Sequence, residues 1–125
     1  MNLNREEAVA LVEQVCAQLP TENSTEILFA SSFVHLHKIA KMCIDNRNVF
    51  AASQDCSAHE SGAFTGEVAA NMIASCNAKY VVLGHSERRV NFKESNQVLK
   101  TKVEQAFAND LAVIFCCGET LEQRE

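Results

Sequence analysis

Four short, continuously apolar runs, each parted from the next by a segment with helical spacing, limit what this chain can fold into. The runs are Ile27-Leu28-Phe29-Ala30, Val49-Phe50-Ala51-Ala52, Tyr80-Val81-Val82-Leu83 and Ala112-Val113-Ile114-Phe115. A strand that is apolar throughout must be buried on both faces, which is the condition of a parallel sheet covered by helices. Strand-helix-strand crossovers are right-handed in nearly every case, and such units build either an open sheet or a closed barrel. Periodicity does not decide between the two.

The segments between the runs carry helix signals. Asn4 can cap a first helix, and Glu7, three residues on, completes a capping-box pattern. Ala8, Leu11, Val12, Val15 and Leu19 then recur on one face. Pro20 to Thr25 is polar and reads as a connection. Ser31 or Ser32 opens a second helix with Leu36, Ile39, Ala40 and Cys43 inward. Val68, Ala69, Met72, Ile73 and Cys76 form a third stripe. Ser95 or Asn96 opens a fourth helix with Val98, Leu99, Val103, Ala106 and Phe107 inward. Thr120 to Glu125 reads as the start of another. With 125 residues, the chain is expected to be one domain or part of one, spanning 1–125.

Apolar residues make up 47% of the chain, enough for a packed core. No apolar run reaches membrane-spanning length, and Met1 to Glu7 lacks the basic start and apolar middle of a secretory signal. A cytoplasmic protein is expected. The formal net charge of −5 argues against nucleic acid and anionic membrane as partners. It leaves room for a small phosphorylated substrate, since one local cation or helix N-terminus can hold a phosphate. The six cysteines (Cys16, Cys43, Cys56, Cys76, Cys116 and Cys117) include no Cys-x-x-Cys pair. Reduced thiols are therefore expected rather than disulfides or zinc ligands. His35 and His37, two apart on a helix, point to different faces and read as ordinary surface histidines.

Chemistry concentrates after the third run, where Gly84 is followed by His85-Ser86-Glu87-Arg88-Arg89. Polar groups at the C-terminal end of a buried strand lie where α/β folds place their active sites. His, Ser and Glu also start helices, so a capping role for His85 is the competing reading. The stretch Cys56 to Gly66 is long, polar and punctuated by Gly62 and Gly66. An irregular loop of that length in a compact unit is usually functional, although a mobile loop without a task fits the sequence too.

Tyr80 to Arg89 closely resembles the fourth-strand signature of the triosephosphate isomerase family. Met1-Asn2 is similar to the end of that family's Asn-x-Lys-Met-Asn segment. Gln54-Asp55-Cys56-Ser57 with Gly62-Ala63-Phe64-Thr65-Gly66-Glu67 resembles its long third loop, and Cys116-Cys117-Gly118-Glu119 the end of its fifth strand. The resemblance covers nearly the whole chain and implies a partial TIM (β/α)8 barrel of about four parallel strands alternating with helices. It implies interconversion of dihydroxyacetone phosphate and glyceraldehyde 3-phosphate through an enediol(ate), with no cofactor and no metal.

By the same resemblance, His85 donates a hydrogen bond from an uncharged imidazole to the substrate carbonyl. The partial positive charge of a helix N-terminus is compatible with that form. Ser86 is implied to contact the base, and Glu87 to hydrogen-bond near a substrate-binding lysine. Glu87 also fits a plain first-turn carboxylate. Thr65 is implied at the tip of a loop that enters a second subunit, with Glu67 paired to Arg88, so a homodimer is the expected assembly of the full-length protein. Relative to the family, the chain lacks the first strand with its lysine, and the sixth to eighth strand-helix units with the glutamate base and the phosphate cradle. An inactive isolated chain with two open sheet edges, prone to oligomers or a molten state, is therefore expected. The alternative is a half-barrel without catalysis that acts only by association.

Overall fold

Each apolar run becomes a strand, and each stripe between runs becomes a helix. A computed structural model describes every residue except Met1, Thr21, Asn23 and Thr120, and the side chains of Leu121 and Gln123. The elements are α1 (Arg5–Ala17), β1 (Ile27–Ser31), α2 (Phe33–Cys43), β2 (Val49–Ser53), α3 (Ala70–Ser75), β3 (Tyr80–Leu83), α4 (Ser86–Asn91), α5 (Asn96–Ala108), β4 (Ala112–Phe115) and α6 (Leu121–Arg124). Met1 of the Met1-Asn2 match, Thr21 and Asn23 of the first connection and Thr120 of the last segment lie outside the described residues.

The strands form one sheet in the order β1-β2-β3-β4, and every neighbouring pair is parallel. Ala52 pairs with Tyr80, and Tyr80 in turn with Ala112. This staircase leaves β1 and β4 as edges of an open sheet. One face carries the core. Val49, Ala51, Val81 and Leu83 pack with Leu36 and Ile39 of α2, Ile73 of α3 and Ala106 of α5, while Ile27, Phe29 and Val113 lean against the same cluster. Ile39, Ile73 and Leu83 are almost fully enclosed, and each contributes roughly 1.5–3 kcal/mol relative to an exposed side chain. The opposite face is open: Leu28, Phe50, Tyr80 and Val82 are only half-buried, and Ile114 is exposed. There, the Phe50 and Tyr80 rings meet at 5.7 Å, and the Tyr80 hydroxyl donates to Glu26 Oε2 at 2.8 Å.

The capping box forms as the sequence suggests. Glu7 N donates to Asn4 Oδ1 at 3.0 Å, and Asn4 N donates to Glu7 Oε2 at 2.8 Å. In α2, all four of Leu36, Ile39, Ala40 and Cys43 are buried. Elsewhere the expected inward faces need correction. Leu11 is 48% and Phe107 63% exposed, and Met72 and Val98 are exposed as well. Leu11 lines an open groove of about 310 Å³ beside the outer edge of β1, together with Leu3, Val12, Leu28 and Ala30. A side chain beside an unpaired sheet edge has apolar neighbours on one side only. The third stripe is also shorter than its pattern: Val68 and Ala69 precede α3, because the Val68 carbonyl accepts from Ser57 N at 2.8 Å. Among the described residues no helix is long and apolar enough to cross a membrane.

Candidate functional site

The polar residues singled out in the sequence gather at the C-terminal ends of the strands, because β3 leads directly into them. Gly84 leaves β3 at φ +77°, a conformation glycine adopts without strain. That turn redirects the chain so that His85 becomes the N-cap of α4, at φ −55° and ψ 140°. The backbone amide of Glu87 donates to His85 Nδ1 at 3.3 Å. With Nδ1 accepting, the proton of the uncharged ring sits on Nε2. The capping reading left open by the sequence is what the geometry shows, and it engages only one of the two ring nitrogens. Its side chain is 48% exposed, and the Glu87 carboxylate, 79% exposed, lies 3.7 Å from Nδ1. Ser86 is the exposed first residue of the helix. With Nδ1 engaged by the backbone, Nε2 is the ring's remaining polar atom.

No residue of α4 is buried, and six residues are too few to hold a helix by themselves. Two arginines anchor it instead. Arg89 donates from Nε to the Gly84 carbonyl at 2.7 Å, from Nη2 to the Cys116 carbonyl at 3.2 Å and from Nη1 to Asn96 Oδ1 at 2.8 Å. It thereby ties the end of β3, the end of β4 and the start of α5 together. Arg88 pairs with Asp55 Oδ2 at 2.8 Å and Glu94 Oε1 at 2.9 Å, and its guanidinium lies 4.5 Å from the Phe92 ring centroid.

The partners of Arg88 correct the pairing with Glu67 that the resemblance implies. Glu67 and Arg88 line the same groove of about 550 Å³, with Phe92 and Lys102, but Arg88 is committed to Asp55 and Glu94. Lys102 of α5 completes this group. Its ammonium, 5% exposed, donates to Asp55 Oδ1 at 2.7 Å, Asp55 Oδ2 at 2.9 Å and Glu94 Oε1 at 2.6 Å. Burial pushes the Asp55 carboxyl above its ordinary range, and the pull of Lys102 and Arg88 does not cancel it. Burial also works on Glu94, but there the hydrogen bonds and charges of Lys102 and Arg88 win and hold it below. Beside the cluster, burial raises the Cys56 thiol to about 12.

The third loop is closed by contacts of its own. Its neck is the Ser57–Val68 bond, and His59 N is held by Ser57 Oγ at 3.1 Å. The His59 ring stacks on Phe64 at 3.6 Å and 5°. Phe64 to Glu67 form a turn in which Glu67 N donates to the Phe64 carbonyl at 2.9 Å and Gly66 takes φ +96°. Thr65 stands exposed at that turn, and Asp55 at the base of the loop joins it to the Arg88 cluster.

Sequence reasoning singled out neither Lys102 nor Glu94, and it gave Arg89 no role of its own. One signal was available for Lys102: it falls between Leu99 and Ala106 on the buried stripe of α5, where a charge is anomalous. All six cysteines are free. His35 Nε2 donates to the Leu3 carbonyl at 3.2 Å, a structural use.

Comparison with known proteins follows the same lines. The family model described as triosephosphate isomerase matches residues 1–125. Among relatives named triosephosphate isomerase, that of Bacteroides fragilis is 42% identical over 126 residues, and that of Porphyromonas gingivalis (strain ATCC 33277) is 43% identical over 126. Each aligns with 100% of this chain, which spans 50% of the relative's length. The crystal structure of triosephosphate isomerase from Bartonella henselae superposes with a TM-score of 0.88 at 27% identity, covering 99% of this chain and 51% of that one.

Proposed function

The chain belongs to the triosephosphate isomerase family, and we propose that the protein it represents interconverts dihydroxyacetone phosphate and glyceraldehyde 3-phosphate. His85 is the electrophile of that reaction. Its Nε2–H donates to the substrate carbonyl, stabilising the oxyanion that grows as the neighbouring C–H proton leaves. The carbon-bound proton passes to a carboxylate base and returns to the adjacent carbon, while the hydroxyl proton moves from one oxygen to the other, so the two sugars interchange through an enediol(ate) without cofactor or metal. The observation that carries this reading is the hydrogen bond from Glu87 N to His85 Nδ1, because it leaves the outward nitrogen as the donor.

Ser86 and Glu87 are supporting residues at the same strand end. The base, the substrate-binding lysine and the phosphate cradle belong, by family resemblance, to segments that this chain does not contain, so the chain by itself is inactive. The closed third loop with Thr65 exposed at its turn supports a homodimer of the full-length protein, with Thr65, Glu67 and Arg88 at or beside the interface. The acidic net charge fits a cytoplasmic enzyme of glycolysis and gluconeogenesis, without nucleic acid or membrane as partner.

The test is a chimera. The matching half of the Bacteroides fragilis enzyme is replaced by this chain, and isomerisation is measured by a coupled assay. The chimera should turn over triose phosphate while the chain alone does not, and His85→Gln in the chimera should cost roughly 10²–10⁴-fold in kcat. A folded chimera without activity, or one indifferent to His85→Gln, refutes the assignment. The second reading, a half-barrel that works only by association, draws on the open edges of the sheet; it gains ground if the chain binds a second copy tightly and the chimera is inert.

A further inference from the structure

Four charged side chains from four separate segments close a ring with no net charge. Lys102 Nζ contacts Asp55 and Glu94, and Arg88 contacts the same two carboxylates from the other side, all at 2.6–2.9 Å. Asp55 belongs to the loop after β2, Arg88 to α4, Glu94 to the link between α4 and α5, and Lys102 to α5. A buried ion pair is a weak source of stability, because desolvation consumes most of the attraction. A leucine at position 102 would extend the buried stripe of Leu99 and Ala106 at no such cost. The ring's effect therefore lies in placement. Arg88 is the third residue of a helix with no buried side chain, and its amide donates to the His85 carbonyl at 3.0 Å. Whatever fixes Arg88 fixes the turn on which the His85 ring sits.

We infer that Lys102 is a positioning residue: by bridging Asp55 and Glu94 it holds Arg88, and through Arg88 it holds α4 in the geometry that keeps His85 Nδ1 on the Glu87 amide and Nε2–H outward. Without Lys102, two carboxylates share one guanidinium, Arg88 has competing placements and one of the two arginine anchors of α4 is loosened. Leu99, one turn earlier on the same stripe, is fully buried and adds no charge or hydrogen bond to the ring, so it separates loss of placement from loss of packing. The catalytic meaning of this placement rests on the functional reading above.

Two readouts on the full chain test the inference without substrate. The first is the ring tautomer of His85, from nitrogen shifts of the chain labelled with 15N-histidine and assigned by loss of the signal in His85→Gln. The second is hydrogen exchange, by mass spectrometry, of peptides covering 85–91 against peptides from α2. Lys102→Met should speed exchange in 85–91 by tenfold or more, move exchange in α2 far less and shift His85 toward the tautomer mixture of a free histidine. Leu99→Val should raise exchange broadly and leave the tautomer alone. Should Lys102→Met not fold, Lys102→Met with Glu94→Gln keeps the ring neutral and is read in its place, with the same result expected. A wild-type His85 with its proton on Nδ1 overturns the functional reading. A wild-type proton on Nε2 that neither Lys102 variant disturbs overturns the positioning role alone, as does an exchange increase spread evenly over the chain.

Discussion

Gly84 carries more of the site's geometry than any residue with a functional group. At φ +77° an added Cβ would stand 2.9 Å from Arg89 Nη2 and 3.1 Å from the Cys116 carbonyl, so strain and collision coincide. Gly84→Ala is expected to cost about 2 kcal/mol by urea unfolding and to displace Arg89 from both carbonyls; an unchanged midpoint would disprove the close approach. Glu94 gives a second residue-scale prediction. Its folded pKa lies below the ordinary value of 4.5, so it contributes stability that is present above pH 4.5 and lost as pH falls through the lower folded value. Asp55 has the opposite sign. Its raised folded value gives stability that is present below 3.8 and lost as pH rises through it. The acid slope is thus a difference between the two. Urea midpoints taken from pH 5 down to about pH 3 should fall less steeply in Glu94→Gln and more steeply in Asp55→Asn. His85 could be singled out in the sequence because only Gly84 parts it from the apolar run Tyr80–Leu83. Lys102 was hidden because its partners stand 47 and 8 residues away, and a long lysine on an apolar stripe ordinarily reaches solvent with its charge.

Helix ends show how far local chemistry alone determines an element. The capping box at Asn4 and Glu7 is written in four consecutive residues and forms as written. Asn4→Ala should cost about 1 kcal/mol, read as a lower thermal midpoint with unchanged spectra. The end of α5 is less obvious from the sequence. Asp110 takes φ 55° where a glycine is usual, while Leu111 N bonds the Ala106 carbonyl at 3.0 Å and Asp110 N the Phe107 carbonyl at 3.2 Å. Asp110→Gly relieves the left-handed conformation but loosens the unfolded chain, and should stabilise by about 0.5 kcal/mol; a loss of stability would mean that the aspartate side chain supports the turn. The third stripe was read too long because its first residues answer to a distant demand. Val68 closes the neck of the third loop with Ser57, a contact that no pattern within the stripe encodes.

At the scale of the molecule, the decisive quantity is what the four-stranded sheet leaves uncovered. Apolar patterning predicted strands buried on both faces, yet only one face is packed by helices, and Ile114 and Phe115 on the β4 edge are 36% and 47% exposed. The β1 edge carries its own apolar groove, walled by Leu3, Leu11 and Leu28. Unpaired parallel edges with apolar side chains are templates for further pairing, and a net charge of −5 spread over this chain is too small to keep copies apart at physiological ionic strength. The purified chain should therefore associate as its concentration rises, with sedimentation showing species above 13.8 kDa. Placing lysines at Leu28 and Ile114, on the bare face next to each edge, should weaken that association more than lysine at Val34, which is 82% exposed on α2. A monodisperse monomer with a cooperative melt would mean that the open face is tolerated by water as it stands. The reading of β1 and β4 as edges that need a neighbouring strand would then have to be given up.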